Sequence, residues 1–278
     1  MEVRFSRINS RLPVVLPIVV PLSLILIGEA LLYVKNLEAS VIVHLLNVLV
    51  CVMAPLLLKE NPIIWQAFSL VSLLRVLNLG MPTFGSMTIY WIPLIYAPII
   101  VVAFLLVRDE SMGWRDYLKG MKKIFNLSRE VRGWKLYYLP LGAAAALLLA
   151  NIEFKILSLS IDDLRMVPDL GLGSLAALFI VMVFFVGFGE ELVFRYILQG
   201  RLMASVGVIG AIIIASIAFA AMHSGYTSLI YMAYVFGVAL LLGALYYLTD
   251  SLASVSFIHG TLNFFLFSFL PFGYLVLF

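Results

Sequence analysis

Apolar runs about as long as a bilayer is thick dominate this chain. They lie near residues 12–34, 40–58, 63–80, 88–107, 136–157, 171–198, 206–223, 226–248 and 252–270. A membrane-spanning helix needs roughly 20 such residues, so the pattern predicts eight or nine spans. The third run is the weakest, because Arg75 and Asn78 interrupt it. The ninth is followed by Pro271 and a short apolar tail that fits a half-helix or an interfacial segment. Backbone polar groups have no water partner in hydrocarbon, so these runs are expected to be helices. A transmembrane β-barrel would show short alternating segments, and none are seen.

One long polar stretch breaks the series. Residues 108–135 carry eight Lys or Arg, with Trp114, Tyr117, Leu118, Met121, Ile124 and Phe125 interleaved at near-helical spacing. That pattern predicts an amphipathic helix lying on the membrane surface. The expected fold class is therefore all-α: a polytopic membrane helical bundle of eight or nine transmembrane helices with an interfacial amphipathic helix. Arg4, Arg7 and Arg11 precede the first run, which is longer than a signal-peptide core and is read as a retained span. Four spans separate these arginines from the basic stretch, so both fall on the cytoplasmic side by the positive-inside rule. The loop with Asp162, Asp163 and Asp169 then falls outside, and the segment Gly200–Ser205, read as a loop, falls inside.

Composition agrees with the pattern and narrows the function. The 278 residues are 64% hydrophobic and 12% charged. A soluble domain is nearer half apolar and a quarter charged, so the apolar surface must face lipid. The net charge of +3 gives no reason to expect a nucleic-acid partner. The one cysteine, Cys51, excludes an intrachain disulfide and a cysteine-based metal site. The N-terminal spans read as poor in buried charge and the C-terminal ones as rich in it.

Ionisable residues within a span cost about 2.5–3.5 kcal/mol each on insertion scales, so their presence asks for a reason. The sixth run contains Gly189-Glu190-Glu191-Leu192-Val193-Phe194-Arg195. Glu191 and Arg195 are four apart, share a helix face and can pair. Glu190 points about 100° away and lacks that partner. The arrangement predicts one ionised, paired glutamate and one with a raised pKa or another partner, which is what a general base needs. The seventh run ends Phe219-Ala220-Ala221-Met222-His223, and the ninth contains His259 and Asn263, again four apart.

The heights are compatible. Glu190 lies 15 residues before a turn near Ser205, and His223 lies 18 after it. At 1.5 Å per residue they stand within about 5 Å of the same depth. His259 follows the turn at Thr249–Ser251 at roughly 12 Å, shallower than the pair, so a protruding hairpin or tilted ninth helix is required. A glutamate and a histidine can activate water, while a second histidine and an amide donate to an oxyanion. No GxSxG or HExxH motif is present.

Glu190-Glu191-xxx-Arg195, Phe219-xxx-His223 and His259-xxx-Asn263 together resemble the three motifs of the CPBP family. That family includes the type II CAAX prenyl endopeptidases and prokaryotic relatives, some named for bacteriocin processing or immunity. The resemblance covers about residues 171–270. Gly243-xx-Tyr246-Tyr247-xx-Asp250-Ser251-Leu252 also looks like the family's segment before its last motif.

The resemblance implies a glutamate-type intramembrane endopeptidase acting on a membrane-associated protein or peptide, in the cell membrane of a prokaryote. It implies that Glu190 activates water with help from His223, and that His259 and Asn263 form the oxyanion hole. Glu191 and Arg195 support them. No cofactor is expected; zinc on two histidines and a glutamate is the minority reading. The single span between His223 and His259 leaves the substrate open among prenylated C-termini, a processed peptide and the tail of a sorted surface protein. The domains expected are 1–135, the N-terminal helices plus the amphipathic segment, and 136–278, the catalytic helical bundle. The alternative is a non-catalytic membrane binding or scaffold protein on the same fold. A transporter would show two matching halves, and no such symmetry is evident.

Overall fold

The computed structural model describes residues 15–81, 88–107, 135–159 and 164–278. Its regular elements there are all helical. The chain runs α1 (Val15–Tyr33), α2 (Leu37–Leu58), α3 (Ile63–Leu79), α4 (Thr88–Val107) and α5 (Lys135–Leu157). A continuous helical run, Leu172–Ala221, follows. Gly207, at φ 74°, breaks it into two limbs, α6 (172–206) and α7 (208–221). Then come α8 (Leu229–Thr249) and α9 (Leu252–Phe267). The basic stretch predicted to lie on the membrane surface falls at 108–134, outside the described residues, as do Arg4, Arg7, Arg11, Asp162 and Asp163.

Among the described residues, seven helices are long and apolar enough to span a bilayer. The run Leu172–Ala221 counts once among them, although its 50 residues would stretch about 75 Å if straight. α3, at 17 residues, falls just short. The difference from eight or nine rests on those two places. Apolar side chains stand exposed around the helices, Ile42, Leu57, Leu94, Ile209 and Leu248 among them. With no water to cover that surface, lipid does. The chain is an integral membrane protein.

Two sequence expectations need correction. Gly200–Ser205 is not a loop; the helix continues through it to the break at Gly207. Arg201 in this segment is buried, and its guanidinium donates to the Ile63 and Leu106 carbonyls, both at 2.8 Å. Leu106 lies in the last turn of α4, where carbonyls lack helical partners, so the cation caps that helix. Nor is the N-terminal part poor in buried charge. Glu29 of α1 and Arg75 of α3 are both buried and ion-paired. Each offsets the other's loss of hydration, which an isolated charge in hydrocarbon could not do.

The helices that carry the site are gathered around α9, which packs on α5 and on the first limb of the broken helix. The α8–α9 turn follows its local sequence. Asp250 takes the left-handed conformation, and Ser251 caps α9 through its Oγ on the Ser254 amide at 3.2 Å. After α9 the tail turns at Leu270–Phe272 and folds back on α5, where Asn151 holds the Leu275 carbonyl and the Leu277 amide.

Candidate active site

Glu190 and Glu191 sit on a four-residue α-turn, Phe188–Glu191, between two wider π-helical stretches, Val181–Gly187 and Leu192–Gln199. Such stretches are uncommon and gather at functional sites. A π-turn advances less per residue than an α-turn. The stretch after Glu191 therefore brings the carboxylates nearer the Gly207 break than straight α-geometry predicts. This shortens the depth gap to His259.

Glycines close the rest of that gap. A Cβ on Gly260 would lie 2.4 Å from the Val183 Cα, and one on Gly187 would lie 2.7 Å from the Ser256 carbonyl oxygen. No other side chain fits, so α9 and α6 touch backbone to backbone. That contact delivers the His259 ring to both glutamates. Its Nδ1 donates to Glu191 Oε1 at 2.8 Å, and its Nε2 lies 3.6 Å from Glu190 Oε2. Gly189 does the same for α4. A Cβ there would strike the Tyr96 ring at 2.8 Å, and Tyr96 instead donates its hydroxyl to Glu190 Oε1 at 2.5 Å.

The predicted Glu191–Arg195 pair is present and wholly buried, at 3.1 Å. The approach is not aligned as a hydrogen bond, so attraction between the charges carries it. The guanidinium also lies over the Phe219 ring, 4.7 Å from its centroid, a cation–π contact that compensates lost hydration. Phe219 does more than pack. Its ring meets His259 edge-on at 5.7 Å, and its carbonyl accepts from His223 Nδ1 at 3.0 Å. Because a carbonyl only accepts, His223 carries a proton on Nδ1, and in its neutral form Nε2 keeps a lone pair.

Glu190, His223, His259 and Asn263 line one cavity of about 300 Å³, with Arg75, Tyr96, Glu153, Tyr226 and Tyr231 among the others around it. That volume is ample for water to enter. Glu191 and Arg195 stand behind it. Asn263 makes no hydrogen bond among the described residues and faces the cavity with its partners open. Tyr231 donates to Glu153 Oε1 at 2.7 Å. Glu153, Arg75 and Tyr96 lie outside the three motifs, and the sequence reading did not place them at the site. Glu153 and Arg75 were detectable there as charges inside apolar runs; Tyr96 offered no such signal.

Among the described residues no three His, Cys, Asp or Glu side chains are disposed to hold a metal. The zinc reading would need both histidines to turn a nitrogen to one point. The Nδ1 of each is engaged, His223 with Phe219 and His259 with Glu191, which leaves each Nε2 as the nitrogen open to a ligand.

Fold and site together define a polytopic helical membrane protein with a buried carboxylate–histidine centre opening on a polar cavity. Residues 172–265 match the family model described as type II CAAX prenyl endopeptidase Rce1-like, which supports a CPBP/CAAX protease family assignment for this segment. That family is one of peptidases, and the matched segment lies within the membrane bundle. Nothing matches the chain among curated proteins or among solved structures.

Proposed function

We propose that the chain is an intramembrane endopeptidase in which Glu190 and His223 activate a water molecule. The observation that supports this most directly is the meeting of Glu190, His223, His259 and Asn263 on one polar cavity. Water entering it finds the Glu190 carboxylate on one side and the His223 Nε2 lone pair on the other. Its oxygen attacks the scissile carbonyl carbon while Glu190 takes its proton. The carbonyl oxygen becomes an oxyanion, which accepts from His259 and from the Asn263 amide. Collapse breaks the C–N bond, and Glu190 returns its proton to the leaving amine.

Glu191 and Arg195 then have a positioning role. Glu191 anchors His259 Nδ1 and leaves Nε2 toward the reacting centre, and Arg195 balances the Glu191 charge. Doubly protonated, His259 presents its second N–H where Glu190 and the oxyanion lie. Tyr96 orients Glu190 from the opposite side.

The substrate is a membrane-associated protein or peptide, entering from the lipid or the membrane surface. On the charge distribution of residues 1–135, the N-terminus and the mouth of the site face the cytoplasm; the family resemblance implies a prokaryotic cell. Reconstituted protein in vesicles, offered fluorogenic membrane-anchored peptides with and without a prenyl group, tests the reading. Cleavage by the unaltered protein is expected, with loss in Glu190→Gln and Glu190→Ala at unchanged folding. Full cleavage by Glu190→Ala would sink the mechanism. Binding without any cleavage would favour the scaffold alternative.

A further inference from the structure

We propose that the buried Glu29–Arg75–Ser224 network is a positioning device for His223. It rests on the reading of His223 given above. Two of its members come from α1 and α3, far upstream of the segment that carries the family match. They nevertheless converge on the residue next to His223. Arg75 Nε donates to Glu29 Oε1 at 2.6 Å, and Nη2 donates to Oε2. The Ser224 hydroxyl donates to the same Oε2 at 2.5 Å, and Arg75 Nη2 lies 3.4 Å from it.

His223 needs such a device. Regular helix ends at Ala221, and His223 and Ser224 lie in the tight turn that follows. The helical ladder does not hold the ring there. The ring is tied on one side through Nδ1 to the Phe219 carbonyl. On the other side the chain is held by Ser224, which is itself almost wholly buried.

The Glu29 carboxylate is a rigid anchor because α2 and α3 hold it in turn. His44 Nε2 stands 3.4 Å from Glu29 Oε1, and His44 Nδ1 and Asn47 Nδ2 meet the Ser72 hydroxyl at 3.2 and 2.8 Å. Gly28 makes room for this, since a Cβ there would lie 2.6 Å from His44 Nε2. A pair needed only for helix packing would be complete with Glu29 and Arg75. The third member, a hydroxyl one residue from His223, is what ties the N-terminal helices to the reacting centre.

The chain has three histidines, His44, His223 and His259. ¹⁵N-histidine labelling of the full-length protein in nanodiscs therefore gives three ring systems, assignable with His44→Gln and His259→Gln. Ser224→Ala is expected to displace the His223 ring resonances and mix its tautomers while those of His259 stay in place. Turnover should fall roughly ten- to hundredfold, as a small misplacement of a catalytic group can cause, with KM within about twofold. Ser224→Thr keeps the hydroxyl and should restore both. Ser72→Ala loosens the same network at its far end and should move His44 more than His223.

Wild-type His223 resonances in Ser224→Ala overturn the proposal. So does an equal displacement of His223 by Ser72→Ala, which would mark general loosening. If the alanine variant cannot be purified, Ser224→Cys carries the same expectations. The resonances need no substrate. An ordered His223 that Ser224→Ala disorders, in a chain that cleaves nothing, would overturn the protease reading and leave the positioning one standing.

Discussion

Replacing Gly260 with alanine tests whether the backbone contact of α9 on α6 builds the site. The added Cβ would lie 2.4 Å from the Val183 Cα, 2.6 Å from the Met182 carbonyl oxygen and 2.9 Å from the Val183 nitrogen. All three are backbone atoms, so no side chain can swing away. An ordinary carbon–carbon contact is about 3.5–4.0 Å, so the helices must part by about 1 Å. His259 precedes Gly260 and moves with it. Its 2.8 Å bond to Glu191 would then stretch beyond the roughly 3.2 Å limit of a hydrogen bond. Overpacking of this kind costs about 1–3 kcal/mol, and a 1 Å misplacement of a reacting group can cost about a hundredfold in rate. The variant should therefore fold with a lowered Tm and lose about two orders of magnitude in kcat. Thermal unfolding in detergent and cleavage of an anchored fluorogenic peptide measure the two effects. Unchanged Tm and kcat would show that α9 is not held by this contact.

Two further outcomes follow from other contacts. Tyr96→Phe removes only the hydroxyl that donates to Glu190 at 2.5 Å; a hydrogen bond to a charged group is worth about 1.5–3 kcal/mol, so kcat should fall roughly ten- to a hundredfold with the helices intact by circular dichroism. Asp169 lies before α6, outside the spans, and accepts from the Gly171 amide and the Ser174 hydroxyl, both at 2.8 Å; these bonds hold its carboxyl below the ordinary 3.8. Its contribution to stability is thus fully present above pH 3.8 and is lost as pH falls through the lowered folded value. Wild type and Asp169→Asn should accordingly differ in Tm near neutrality and converge on acidification, and a constant difference down to the lowest pH would refute the linkage.

Much of the site was legible because charge in a bilayer is conspicuous. Glu191 with Arg195, and His259 with Asn263, stand four apart in apolar runs, and helical geometry alone puts each pair on one face. The same argument marks Glu29, Arg75 and Glu153 as charges in apolar runs, and Arg75 interrupts the third run; no helical spacing ties any of them to the motifs, because their partners lie on other helices. Tyr96 and Phe219 were beyond its reach, since an aromatic residue in an apolar run costs nothing and reads as packing.

The amino-acid sequence by itself determined that the chain spans a membrane as helices, because 64% hydrophobic residues in long runs leave the backbone no other way to satisfy its polar groups. It determined which ionisable side chains share a helix face, because that follows from 3.6 residues per turn. Tertiary structure decided which faces meet. The π-turns around Glu190 and Glu191, the backbone contact at Gly187 and Gly260, and the break at Gly207 set how deep each group lies. Tertiary structure also placed Tyr96 on Glu190 and Glu29 on Ser224. Those pairs are 94 and 195 residues apart in the chain, and no local periodicity encodes a contact between helices so distant. Only the packing of their surfaces against one another does.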